Sequence, residues 1–142
     1  MSGIKKFVEK VLESKSNKLE KFKLGKISQI ELDMLKEKTN FDLSEYERVI
    51  DSYGIKHAFK KHGDDKLEKM QGQLAIKPDD FEKIPEICLN PDKVKSGIKN
   101  KFGNELIQYT KKFDDEITYI EEKRDGKKEL GTKTMYIRKA CK

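Results

Sequence analysis

The chain is 142 residues long, with 41% charged and 35% hydrophobic residues, a length that can bury a real core as one domain beneath a heavily charged surface. Its 32 Lys and Arg against 26 Asp and Glu leave a net charge of +6; residues 1–92 balance at 18 of each sign, so the whole excess, 14 basic against 8 acidic, falls in residues 93–142. No apolar run is long enough to span a bilayer, the N-terminus lacks the apolar core of a signal peptide, and the basic C-terminal third favours polyanionic partners, because cations that neutralise phosphates release condensed counterions.

Ile4, Phe7, Val8, Val11 and Leu12 recur at helical spacing and predict an amphipathic helix over 3–19. Phe22 and Leu24 alternate with lysines over 21–27, as in a short strand. Ser28 and Glu31 have the spacing of a capping box, opening a helix that runs to about Lys38 and is ended by Asn40. Residues 45–51 fit a helix face (Tyr46, Val49, Ile50) or a strand alternation (Tyr46, Arg48, Ile50), and the strand is preferred. Ser52 is placed to cap a helix that carries both histidines, with Gly63 as its C-terminal cap. Gln71–Ile76 reads as an extended run, and Pro78, Pro85 and Pro91 punctuate a short helix from Asp79 followed by turns. From Val94 onward, short aromatic and threonine-rich segments separated by turn residues predict four antiparallel strands near 93–99, 104–112, 117–124 and 131–139. Helices first and a meander last give an α+β domain.

The two histidines, His57 and His62, share one basic segment with Lys56, Lys60 and Lys61. Imidazole is the side chain whose unperturbed pKa lies near neutrality, and a lysine-rich setting suits chemistry on a phosphate. On a helix Ile55, Ala58, Phe59 and His62 share a face, while His57 points about 140° away from His62. In the last strand, alternation puts Thr132, Thr134, Tyr136 and Arg138 on one face and Met135 and Ile137 on the other, with Lys133 on that apolar side unless the beginning of the strand twists it into a cleft. One histidine is expected to face Thr134 and Tyr136 across a cleft. Cys88 and Cys141 have no metal-ligand spacing, and the aspartate pairs sit where caps and turns favour aspartate, so neither a metal nor another cofactor is expected.

The order of these segments is more specific than any one of them. D-L-S-E-Y-E-R-V-I-D from Asp42, I-K-H-A-F-K-K-H-G from Ile55, G-Q-L-A-I from Gly72, D-D-F-E-K-I-P from Asp79, N-P-D-K-V from Asn90 and K-T-M-Y from Lys133 together resemble the phage-associated branch of the barnase, EndoU, colicin and RelE-like nuclease superfamily. The resemblance covers residues 22–139 and leaves the N-terminal helix, 1–20, outside. It implies N-terminal helices before a four-stranded antiparallel sheet, and a metal-independent ribonuclease of the kind that phages and polymorphic toxin systems deploy. The implied catalytic residues are His57, His62, Lys133, Thr134 and Tyr136, with basic help from Lys56; Lys60 and Arg138 are expected beside Lys56 to bind substrate. The implied partners are RNA, with transfer RNA a candidate by family habit, and an acidic immunity protein or antitoxin. The toxin would act in the cytoplasm, as a phage-encoded protein or a domain delivered within a secreted one. The competing expectation is a catalytically silent RNA-binding or protein-interaction domain of the same fold.

Overall fold

The computed structural model describes residues 3–14, 18–62 and 73–138, with His62, Gln73 and Leu74 given by backbone alone. Helix α1 (Ile4–Glu13) buries Ile4, Val8 and Val11, the stripe that its apolar spacing requires. It ends before the expected boundary because Ser14 is already extended (ψ 133°); residues 15–17 of that expectation lie outside the described residues. Strand β1 (Lys21–Lys26) pairs antiparallel with β2 (Glu47–Asp51), and their register slips between Lys23 and Gly25. Gly25 takes the positive φ of 99° there, which a side chain would resist.

Between them, α2 (Gln29–Thr39) opens with the full capping box: the Ser28 hydroxyl accepts the Glu31 N–H while the Glu31 carboxylate accepts the Ser28 N–H. Asn40 closes it in the left-handed conformation (φ 64°). Helix α3 (Ser52–His62) follows β2 directly, with Gly63 outside the described residues. A two-residue strand β3 (Gln73–Leu74) leads to α4 (Pro78–Phe81) and α5 (Ile84–Leu89), the latter with Pro85 in its first turn. Turns were expected where α5 stands; its apolar residues Ile84, Ile87 and Cys88 recur at helical spacing and are all buried.

The meander is present as β4 (Lys93–Lys99), β5 (Glu105–Lys112), β6 (Glu116–Arg124) and β7 (Glu129–Arg138). It belongs to a larger, mixed sheet, however, in place of the four-stranded antiparallel one expected. The order is β1-β2-β7-β6-β5-β4, with β3 pairing to the end of β7 off this path. β2 joins β7 in parallel, Glu47 opposite Glu129 and Val49 opposite Gly131. Arg48, Val49, Ile50 and Asp51 are all buried, the sign of a strand with neighbours on both edges.

One sheet face carries Ile107, Tyr109, Ile117, Tyr119, Leu130, Met135 and Ile137 into a core shared with Leu35, Ile55, Phe81, Ile84 and Ile87. Beneath it lies a charged cluster: Arg48 donates to Glu121 through Nε (2.6 Å), pairs with Glu31, and lies 3.3 Å from the Tyr109 hydroxyl, which itself donates to Glu121 at 2.7 Å. Burial opposes the charge on Arg48, yet its anionic surroundings outweigh this and hold its pKa above the ordinary value. The opposite face is polar, and the ladder aligns Lys93, Thr110, Thr118 and Tyr136 in one row and Lys95, Gln108, Ile120 and Thr134 in the next.

Candidate active site

Helix α3 is started by Asp51. Its carboxylate accepts the Gly54 N–H at 2.7 Å, the position of an N-cap. Ser52, the expected cap, instead accepts the Glu20 N–H at 2.9 Å and holds the approach to β1. Gly54 is where the helix meets β7, since a Cβ there would fall on the Thr132 carbonyl. Ile55 and Ala58 are buried, Phe59 stacks on Phe81 with ring centroids 5.6 Å apart, and His57 is left half-buried on another side of the helix.

β7 breaks strand alternation at one point. Ile120 pairs with Thr134 and Glu121 with Thr132, so Lys133 opposes no residue of β6, which is a β-bulge. Before the bulge the faces exchange. Thr132 turns to the core, where its hydroxyl meets that of Tyr119 at 2.9 Å, and Lys133 leaves the apolar side of Met135 and Ile137. The expected polar face is therefore corrected to Thr134, Tyr136 and Arg138 without Thr132.

Lys133 lines a cleft of about 290 Å³ together with His57. Tyr53 and Gly54 complete the helix wall, Asn100 and Phe102 of the β4–β5 turn stand opposite, and Glu122, Arg124, Asp51 and Thr132 supply the rest. Thr134 and Tyr136 are not among the lining residues; they follow along the polar sheet face, in the rows after Glu122. His57 is thus placed with Lys133, and for His62 the expected approach to Thr134 and Tyr136 falls outside the described residues. The Thr134 hydroxyl is buried with no hydrogen-bond partner among the described residues. Arg138 is exposed at the far end of β7, Lys56 is half-buried and Lys60 exposed on α3, and the His62 side chain lies outside the described residues.

The residues that join the cleft walls were not anticipated. Arg124 donates to Glu122 (2.7 Å) and Glu129 (3.4 Å) and pairs with Asp51, the cap of α3. Burial works against both charges. Glu122 and Asp51 nonetheless raise the Arg124 pKa, while Arg124 and Asn104 hold the Glu122 carboxyl below its usual range. Glu122 also accepts from Asn100 and from Asn104 (3.2 Å), which fastens the β4–β5 turn. Room for the Arg124 guanidinium comes from Gly131, whose Cβ would overlap it. A signal was present in composition: three arginines stand among 29 lysines, and a planar fork is the group for bridging several carboxylates.

A second cavity of about 320 Å³ is lined by Lys77, Lys83, Phe113 and Asp114 among others, and neither His57 nor a K-T-M-Y residue is among its described lining residues. Among the described residues, no three of His, Cys, Asp and Glu converge as a metal site would require, and no helix is long and apolar enough to cross a membrane.

No curated protein and no solved structure matches the chain. A family model does, over residues 25–142, which takes in every element from the end of β1 through β7 and leaves α1 outside. The resemblance drawn from the ordered motifs therefore holds, and the chain belongs to the PBECR3 family, the phage-Barnase-EndoU-ColicinE5/D-RelE like nucleases.

Proposed function

We propose that this nuclease-family domain is an endoribonuclease that needs no metal ion and cleaves RNA through the substrate's own 2′-hydroxyl. His57 takes the 2′-hydroxyl proton, the oxygen attacks the adjacent phosphorus, and a 2′,3′-cyclic phosphate forms as the 5′-oxygen leaves with a proton from an acid. His62 and Tyr136 are the candidates for that acid. Lys133 places positive charge where the phosphorane-like transition state gathers negative charge, and Lys56 adds to it. Thr134 carries a buried hydroxyl with no hydrogen-bond partner among the described residues, suited to a phosphoryl oxygen. Lys60 and Arg138 serve the flanking backbone.

The observation that carries this reading is the shared cleft of His57 and Lys133, two motif residues from distant parts of the chain. The polar sheet face that continues from it has lysines along one edge. A ribonuclease of this kind is toxic to its host, so we assign it a toxin role, acting in the cytoplasm and neutralised by an acidic protein that covers the cleft. Transfer RNA is the first substrate to try.

Purified protein incubated with total RNA, with and without EDTA, tests the reaction. Cleavage in EDTA, a cyclic-phosphate end, and protection by a 2′-deoxy nucleotide at the cut site are expected. His57→Ala is expected to lower the rate by about 10²- to 10⁴-fold with folding retained. Full activity in that variant would remove His57 from the mechanism, and binding without cleavage would favour a silent RNA-binding domain.

A further inference from the structure

Two aromatic side chains are exposed among the described residues, Tyr53 at 56% and Phe102 at 76%, and both line the cleft that holds His57 and Lys133. Single exposed apolar residues are common on protein surfaces and need no function. Phe102 differs in how it is held. The Asn100 side chain accepts the backbone N–H of both Phe102 and Asn104 at 3.0 Å, the Gly103 N–H bonds to the Asn100 carbonyl at 3.0 Å, and the Asn100 N–H returns to Asn104 at 2.9 Å. Gly103 takes the positive φ of 84° that closes the turn. Both asparagine amides then donate to Glu122. So tightly laced a turn fixes its tip, and at the tip is a ring turned out to solvent.

The surroundings indicate what such a ring receives. Among the described residues no aliphatic side chain lines the cleft, so they do not offer the walls that an apolar peptide anchor fills. What surrounds the ring is polar and charged: Lys101 Nζ stands 5.2 Å from its centroid, with His57, Lys133 and Asn100 in the same cleft, where the carboxylates of Asp51 and Glu122 are paired with Arg124. A flat π-system attached to an anionic chain matches this setting on both counts, and only an unstacked base offers its face.

We propose that Phe102 is a base-stacking residue, on which an unpaired nucleobase beside the scissile phosphate lies while Lys101 meets the adjoining phosphate. The protein therefore selects single-stranded or looped RNA over duplex. This rests on the ribonuclease reading above and deepens it, since that reading by itself does not say which form of RNA enters the cleft.

The chain has no tryptophan, so Phe102→Trp introduces a lone reporter at the proposed contact. In a His57→Ala background, which keeps the RNA intact, a single-stranded oligoribonucleotide of mixed sequence is expected to quench that emission. The same strand in a duplex is expected not to. Phe102→Ala in that background is expected to weaken single-strand binding roughly five- to a hundred-fold by anisotropy, with duplex binding unchanged. In the otherwise unmodified chain, Phe102→Ala is expected to lower kcat/KM by a similar factor, and Phe102→Tyr to restore most of it. Unchanged binding in Phe102→Ala and unquenched emission in Phe102→Trp, in a protein that still cleaves RNA, overturn the stacking role alone. A parent chain that neither binds nor cleaves RNA overturns the ribonuclease reading, and this inference with it.

Discussion

Arg48 and Arg124 each gather two or more carboxylates onto one planar group. Arg48 does so in the core, where Glu31 and Glu121 are almost wholly shielded from water. Removing the cation while leaving both carboxylates buried costs far more than the pair contributes. Arg48→Ala is therefore expected to destabilise the protein by about 3–5 kcal/mol, read from the urea midpoint. Adding Glu121→Gln to Arg48→Ala is expected to recover part of the loss, and equal midpoints for the single and double variants would argue against this account. The sequence placed Arg48 in a strand, and said nothing of its partners. Glu121 lies 73 residues away, and no local pattern distinguishes a carboxylate that will face a core arginine from one that faces water.

At the scale of elements, most boundaries were legible and the relations between them were not. Capping chemistry announced α2, hydrophobic spacing announced α1, and turn residues divided the meander, because these signals act over a few residues; α3 was expected from a cap at Ser52, where Asp51 holds that place. The parallel pairing of β2 with β7 depends on which distant edge is free. The bulge at Lys133 depends on the register between β6 and β7, and alternation read along one strand cannot detect an extra residue. That single residue decides which side chains enter the cleft. Gly54 shows how closely the helix must sit to use it. Gly54→Ala places a methyl group against the Thr132 carbonyl and is expected to lift α3 from β7 at a cost of about 1–3 kcal/mol. Because His57 follows one turn later, cleavage is expected to fall by more than the lost folded fraction explains. Activity normalised to folded protein, measured by circular dichroism, separates the two; wild-type specific activity would mean the helix position is not critical.

Across the whole molecule, ion pairs set the response to acid. Burial raises the cost of charge on Glu31, Glu122 and Glu129, but Arg48, Arg124, Lys21 and the neighbouring hydroxyl and amide groups prevail, and all three titrate below the ordinary 4.5. A carboxyl whose folded pKa is depressed contributes stability above its unfolded value and loses it as pH falls through the folded one. Stability is thus expected to hold from neutrality to about pH 5 and to decline steadily below 4.5, read as a falling thermal midpoint across a pH series. A midpoint that stays level through this range would mean the three pairs contribute little to folding. The excess of positive charge belongs to the same scale. It falls from residue 93 onward, and within the described residues the meander presents positive charge on β4 through Lys93 and Lys95 and at the end of β7 through Arg138.

The central place of β7 has a consequence for how the protein comes to exist in a cell. β2 is buried on both edges only once β7 lies beside it, pairing Glu47 with Glu129, and the bulge that delivers Lys133 forms only when β7 has docked on β6. During synthesis the histidine helix emerges long before either event, and it emerges without the strand that completes its cleft. A nascent or truncated chain lacking β7 thus has His57 but no site. β7 is the strand whose docking both encloses β2 within the sheet and supplies the Lys133 wall of the histidine cleft.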